Sequence, residues 1–142
     1  MATTNLNLTT IAGTDNPANF PATYNENLGK IDANAGVSNV TFTPEAGITS
    51  SLSIRKCGKV VTVNGYVQAS SNFPTTTTVL GTIASGSRPV DIARFPCEFA
   101  TQAYNVGAIG YCNISSNGTI NVKAPTANTY NFVYFTCSYI IA

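Results

Sequence analysis

The chain is 142 residues long, with seven Lys+Arg against six Asp+Glu, a net charge of +1, and neither histidine nor tryptophan. Charged residues make up 9% of it, and Lys30, Arg55, Lys56, Lys59, Arg88, Arg94 and Lys123 are scattered, which excludes the basic face that a nucleic-acid binder needs to displace phosphate counterions. Lack of His removes the commonest general base and metal ligand, no apolar run approaches the ~18 residues of a membrane helix, and the opening MATTNLNLTT has no basic-then-apolar signal-peptide pattern; no cofactor, metal site or membrane insertion is expected.

Taken in chain order, Leu6 and Leu8 alternate with Asn5 and Asn7, which suggests a short extended arm. Phe20, Tyr24, Leu28, Ile31 and Ala35 then recur at helical spacing. Pro21 suits a first turn and Gly36 a stop. Gly29 within that stretch costs about 1 kcal/mol against Ala, so a helix this short is marginal alone and its stripe must be buried, either on its own chain or against copies of itself. Trimerisation through Tyr24, Leu28 and Ile31 is the expectation. Residues 1–37 thus read as an arm and helical neck, and 38–142 as a separate head.

From residue 38 onward, strand signals arrive at regular intervals between Gly, Pro and Asn punctuation. Strands are expected at Asn39–Thr43, Thr49–Lys56, Lys59–Ala69, Thr77–Ala84, Ala93–Ala100, Val106–Ile114, Thr119–Ala124 and Tyr130–Ile140. Such a series implies an all-β sandwich or barrel. Asn117-Gly118 reads as a hairpin turn whose residues accept positive φ, Cys57-Gly58 as a second tight turn, and Asn64-Gly65 as a bulge. In NFVYFTCSYIIA both alternating sets are largely apolar, so the last strand is expected to be buried on both faces, its outer face meeting another subunit or the neck.

Asn and Thr together supply about a quarter of the chain, well above average usage. The surface is therefore polar without being charged, which suits neutral partners such as sugars; Thr in strands and Asn in turns account for the same composition. Cys57, Cys97, Cys112 and Cys137 show no CxxC spacing and are expected to be free thiols. Cys137, in an apolar run, acts as a small hydrophobe, whereas Cys57, beside a turn, is more exposed.

The stretch VLGTIASGSRPVDIARFPCEF, followed by VGAIGYCNISSNGTINV and closed by FVYFTCSYIIA, resembles the terminal head domain of tail-fibre and receptor-binding proteins of tailed bacteriophages. The elements of the likeness are Leu80-Gly81-Thr82-Ile83, the Arg88-Pro89 pair after it, the hairpin from Ile114 to Val122, and a last strand ending in Ser138-Tyr139. NPANFPATYNENLGKIDANAG is similar to Asn-rich fibre openings. The resemblance implies a homotrimer of jelly-roll-like antiparallel β-sandwich heads on a helical neck directed to the virion. It also implies attachment to saccharide on the bacterial host surface, with the arm docked on other tail or baseplate proteins. The protein would then sit in the virion, at the tail tip or baseplate, after synthesis in the host cytoplasm.

The candidate ligand set is Arg88, Asp91, Arg94, Gln102, Tyr104 and Asn105. It combines paired hydrogen-bonding groups with a Tyr ring on a backbone stiffened by Pro89 and Pro96. Asn72 and Phe73 form a second candidate, and a salt-bridge set of Arg88, Asp91 and Arg94 at a trimer boundary is the alternative use of the first. Glycoside hydrolysis needs two carboxylates facing one bond; only Asp91 and Glu98 lie near each other in the head sequence, and no catalysis is expected. Two other readings remain: a purely structural virion component, and a secreted trimeric jelly-roll ligand of complement-like or tumour-necrosis-like type. The sequons at Asn7, Asn39, Asn113 and Asn117 fit the latter.

Overall fold

Alternation of apolar and polar residues is the rule that builds this fold. In Val60–Ala69 the residues Val61, Val63, Val67 and Ala69 are buried while Thr62, Asn64 and Gln68 are exposed, the period-2 pattern of a strand with one wet face. The same pattern repeats in the computed structural model, which describes residues 36–102 and 105–141. The arm, the expected helix and its stripe of Tyr24, Leu28 and Ile31 lie outside the described residues. Ser38–Ala142 is one of two compact units of the chain, Met1–Val37 being the other.

Nine strands are present among the described residues: β1 Val37–Asn39, β2 Phe42–Pro44, β3 Ile48–Cys57, β4 Val60–Ala69, β5 Thr78–Ile83, β6 Ala93–Gln102, β7 Asn105–Ile114, β8 Thr119–Lys123 and β9 Phe132–Ile140. They form one sheet in the order β1-β3-β4-β9-β6-β7-β8-β5-β2. The register pairs from β2 to β9 are antiparallel throughout. The only helical element described is a 3-10 turn, Ser85–Ser87. Among the described residues the expected all-β antiparallel architecture is present. The first expected strand is instead two short ones, for a reason of closure. Val40 donates its N–H to Ile54 O on β3, while the very next residue, Thr41, accepts from Ala84 N–H just beyond β5. Neighbouring Cα atoms are only about 3.8 Å apart, so these two regions of the sheet must come together. The sheet therefore curls, and Ile54, Val61, Val63, Leu80, Ile83, Phe99, Ile114, Ile120, Val122, Val133 and Phe135 fill its inside.

Three turn readings meet different outcomes. Cys57 pairs with Val60 across the two-residue turn Gly58-Lys59, one residue on from the expected Cys57-Gly58. In the second hairpin, Gly118 N–H bonds Ser115 O and Ser115 N–H bonds Thr119 O. Only Gly118 takes positive φ there, at 90°, and Asn117 does not. The carboxamide of Asn117 instead accepts from Thr119 N–H at 3.0 Å. Asn64-Gly65 is not a bulge, since the register runs unbroken through both residues on both sides. Gly65 is there because a Cβ at that point would overlap the Ser51 carbonyl oxygen. The irregularities fall elsewhere, between Val79 and Gly81 on β5 and between Phe99 and Gln102 on β6.

Within one copy of the head the last strand is buried on its inner face and only partly covered on its outer one. Val133, Phe135, Tyr139 and Ile141 point to the core. On the outer side Phe132 is buried, Tyr134 is half-buried, and Thr136, Ser138 and Ile140 are exposed.

Candidate functional site

The structure divides the sequence-predicted ligand set between the two ends of one hairpin. Arg94 begins β6 opposite Asn113 of β7, whereas Gln102 ends it opposite Asn105. Eight residues of strand separate Arg94 from Gln102, about 26 Å, too far to share one sugar unit. Arg88 is half-buried and donates Nε–H to Ile83 O at 3.2 Å, and its side chain lies against Gly118, so it locks the end of β5 to the β7–β8 turn. Asp91 is exposed in the loop before β6, and Arg94 is exposed on β6. Tyr104 lies outside the described residues, and of Gln102 and Asn105 only the backbone is described. The second candidate is corrected: Phe73 is 1% exposed and meets Phe99 edge-on with ring centroids 5.5 Å apart, so it plugs the core. Asn72 donates to Asn128 O at 2.8 Å and ties two loops together.

A different place has the geometry of a site. Between β9 and β6 the ladder holds for only three pairs, Ala100↔Phe132, Phe99↔Val133 and Glu98↔Tyr134, and then stops. The cause lies in the sequence. Ala69 N–H bonds Asn131 O, and Ile141 N–H bonds Lys59 O, so odd-numbered residues of β9 turn their backbone groups to β4. Even-numbered ones therefore turn to β6. Continuing the register places Thr136 opposite residue 96, and residue 96 is a proline with no N–H to offer. The strands part there, and a cleft of about 480 Å3 opens, lined by Asn64, Gly65, Tyr66, Pro96, Cys97, Glu98, Ile109, Tyr134, Phe135 and Thr136.

Its walls are built by register. Ser51, Tyr66, Tyr134, Glu98 and Ile109 form one row across five strands on the outer face. The rings of Tyr66 and Tyr134 lie 5.3 Å apart and tilted by 42°, and Phe132 stacks behind Tyr134 at 6.5 Å. One row further along, Thr136 Oγ1 donates to Asn64 Oδ1 at 2.7 Å, which turns the Asn64 amide nitrogen away from that hydroxyl. Ile109 on the opposite wall is 60% exposed. Glu98 is exposed and supplies the only charge among the described residues of the cleft.

The floor is inert. Cys97, which forms part of it, is buried beside Cys112. Burial pushes the Cys112 thiol far above its ordinary range, with a hydrogen bond to Cys97 and the nearby Cys97 and Cys137 adding to the effect. None of the four cysteines is in a disulfide; Cys57 is exposed and Cys137 half-buried. Among the described residues no group of three or more His, Cys, Asp or Glu is placed to hold a metal ion. No described helix is long and apolar enough to cross a membrane. A hydrolytic site for sugars needs a second carboxylate, and among the described residues the cleft lining holds one.

Sequence reasoning missed this cleft because its members lie far apart in the chain and meet only through register. The one local signal was Pro96, a residue excluded from the centre of a paired strand.

No family model matches the sequence, and no curated protein does. Among solved structures, the chain is similar to the head domain of lactococcal phage bIL170, described in connection with a common fold for the receptor binding domains of lactococcal phages. That match has a TM-score of 0.57 and 18% identity, over 73% of this chain and 100% of that one. It is also similar to the receptor binding protein of Listeria phage PSA, with a TM-score of 0.56 and 17% identity over 91% of this chain and 83% of that one. Both likenesses are of fold.

Proposed function

We propose that this chain is the receptor-binding head of a bacteriophage tail, that it works as a homotrimer of jelly-roll type, and that it attaches the virion to saccharide on the bacterial surface. The fold it shares with two phage receptor-binding proteins supports the attachment role. The single observation that carries the saccharide reading is the cleft at the β6–β9 split. A pyranose presents an apolar face and a rim of hydroxyls. Tyr66 and Tyr134 offer ring surfaces, while Asn64, Thr136 and Glu98 offer hydrogen-bonding groups of both kinds. The backbone carbonyl of Thr136, turned toward β6 where no N–H answers, adds a further acceptor. The arm docks on other tail or baseplate proteins in this reading, and Tyr24, Leu28 and Ile31 hold the neck together.

The test is retention of the purified protein on whole bacterial cells and on a glycan array. Tyr66→Ala and Tyr134→Ala are expected to lower retention at least tenfold with the oligomer intact. Asp91→Ala and Tyr104→Ala probe the two ends of the β6–β7 hairpin. If those two abolish retention and the cleft variants do not, the site lies at a hairpin end and the cleft assignment fails.

A further inference from the structure

We infer that the cleft between β6 and β9 selects an amino sugar with a free, protonated amine over its N-acetylated or neutral counterpart; this rests on the attachment reading above. The argument is one of charge and ring geometry. Among the described residues of the lining Glu98 is the only charged one, with no Lys or Arg beside it. On β6 the nearest cation in sequence, Arg94, lies four residues along the strand, about 13 Å away. A phosphate-bearing group entering this cleft would meet a carboxylate and no counter-charge, so anionic sugars are disfavoured. An ammonium group meets the reverse situation. Glu98 stands in register beside Tyr134, which in turn faces Tyr66, and the two rings are 5.3 Å apart. A cation held at a carboxylate while lying over an aromatic face gains from both the charge and the ring quadrupole. The uncharged walls, with Ile109 and Pro96 on one side and Gly65 and Phe135 at the floor, reduce local solvation and strengthen that interaction relative to open surface. The sugar ring itself would rest on Tyr66, with its hydroxyls at Asn64 and Thr136.

The experiment measures binding of the full chain to three matched oligosaccharides: a glucosamine oligomer, its N-acetylated form and a neutral glucan. Expected is at least a tenfold preference for the free amine, about 1.4 kcal/mol, shrinking as salt is raised. Glu98→Gln keeps size and shape at an exposed position and is expected to erase that preference. Equal binding of all three oligomers by the wild-type chain overturns the inference while leaving saccharide attachment standing. So does a preference that survives Glu98→Gln. Retention on bacterial cells without binding to any of the three also overturns it and still leaves the attachment role. Loss of both cell and oligosaccharide binding removes the two readings together. If Tyr134→Ala changes the mass in light scattering, the cleft is covered by a second copy of the chain, and the inference falls.

Discussion

At the scale of single residues, the thiols show how burial sets both stability and chemistry. Cys112 and Cys97 are buried, Cys137 is half-buried, and Cys57 is exposed. Serine in place of a buried thiol puts a hydroxyl among apolar groups, which costs roughly 1–3 kcal/mol. Urea unfolding should therefore rank Cys112→Ser as most destabilising, Cys137→Ser next and Cys57→Ser as neutral within error; equal midpoints for the three would contradict the burial assigned. Alkaline pH probes the same groups without mutation. Burial raises the Cys137 thiol from 9.0 to about 12 and pushes the Tyr139 hydroxyl up as well. The unfolded chain then loses these protons at lower pH than the folded one, so stability is full below about pH 9 and falls as pH rises toward 12. A thermal midpoint that stays flat across that window would refute this. The inward placement of Cys137 was legible from its apolar run, and the exposure of Cys57 from the turn beside it. The contact of Cys97 with Cys112 was not, because it depends on how β6 and β7 align.

At the scale of elements, most strands could be read from punctuation and period, as the agreement at β3, β4 and β8 shows. What failed was the account of irregularity. Asn64-Gly65 looked like a bulge because Asn-Gly disrupts many strands, yet here Gly65 answers to a close approach of Ser51, which only the paired structure reveals. Gly65→Ala should cost roughly 1–3 kcal/mol by overpacking, and a thermal midpoint equal to wild type would remove that explanation. The cleft was illegible for a related reason. Tyr66, Glu98 and Tyr134 sit on three strands, and pairing alone makes them a row. Pro96 is the exception, since its missing N–H forces the parting of β6 from β9 wherever the register places it. Pro96→Val supplies that N–H and is expected to extend the ladder toward Thr136. The new amide at residue 96 should then be protected from hydrogen exchange, and cell-surface retention should fall as the cleft narrows. Rapid exchange there in the variant would mean that something other than the proline holds the strands apart.

At the scale of the whole molecule, the proposed trimer has two sources of contact that can be separated. The neck stripe of Tyr24, Leu28 and Ile31 has a helical spacing but too short a span for independent stability, which argues for association through it. The head offers a second source: Ile140 is 65% exposed, Val90 59% and Val60 45%. Val60 stands opposite Ile140, and Val90 N–H bonds Ile140 O, so these three side chains form one exposed apolar cluster. A cyclic trimer uses heterologous contacts, in which one patch of a subunit meets a different patch of the next, and this cluster can serve as one of the two. Light scattering at micromolar concentration is expected to give a trimer for the wild-type chain, and a monomer there would end the trimeric reading. Leu28→Asp with Ile31→Asp removes the neck contribution alone, and Ile140→Asp the head contribution alone. If both sources act, each change weakens the trimer and only their combination yields monomer, because each contact then raises the effective concentration of the other. A neck variant that is fully monomeric would assign assembly to the first 37 residues and leave the exposed head cluster for another partner.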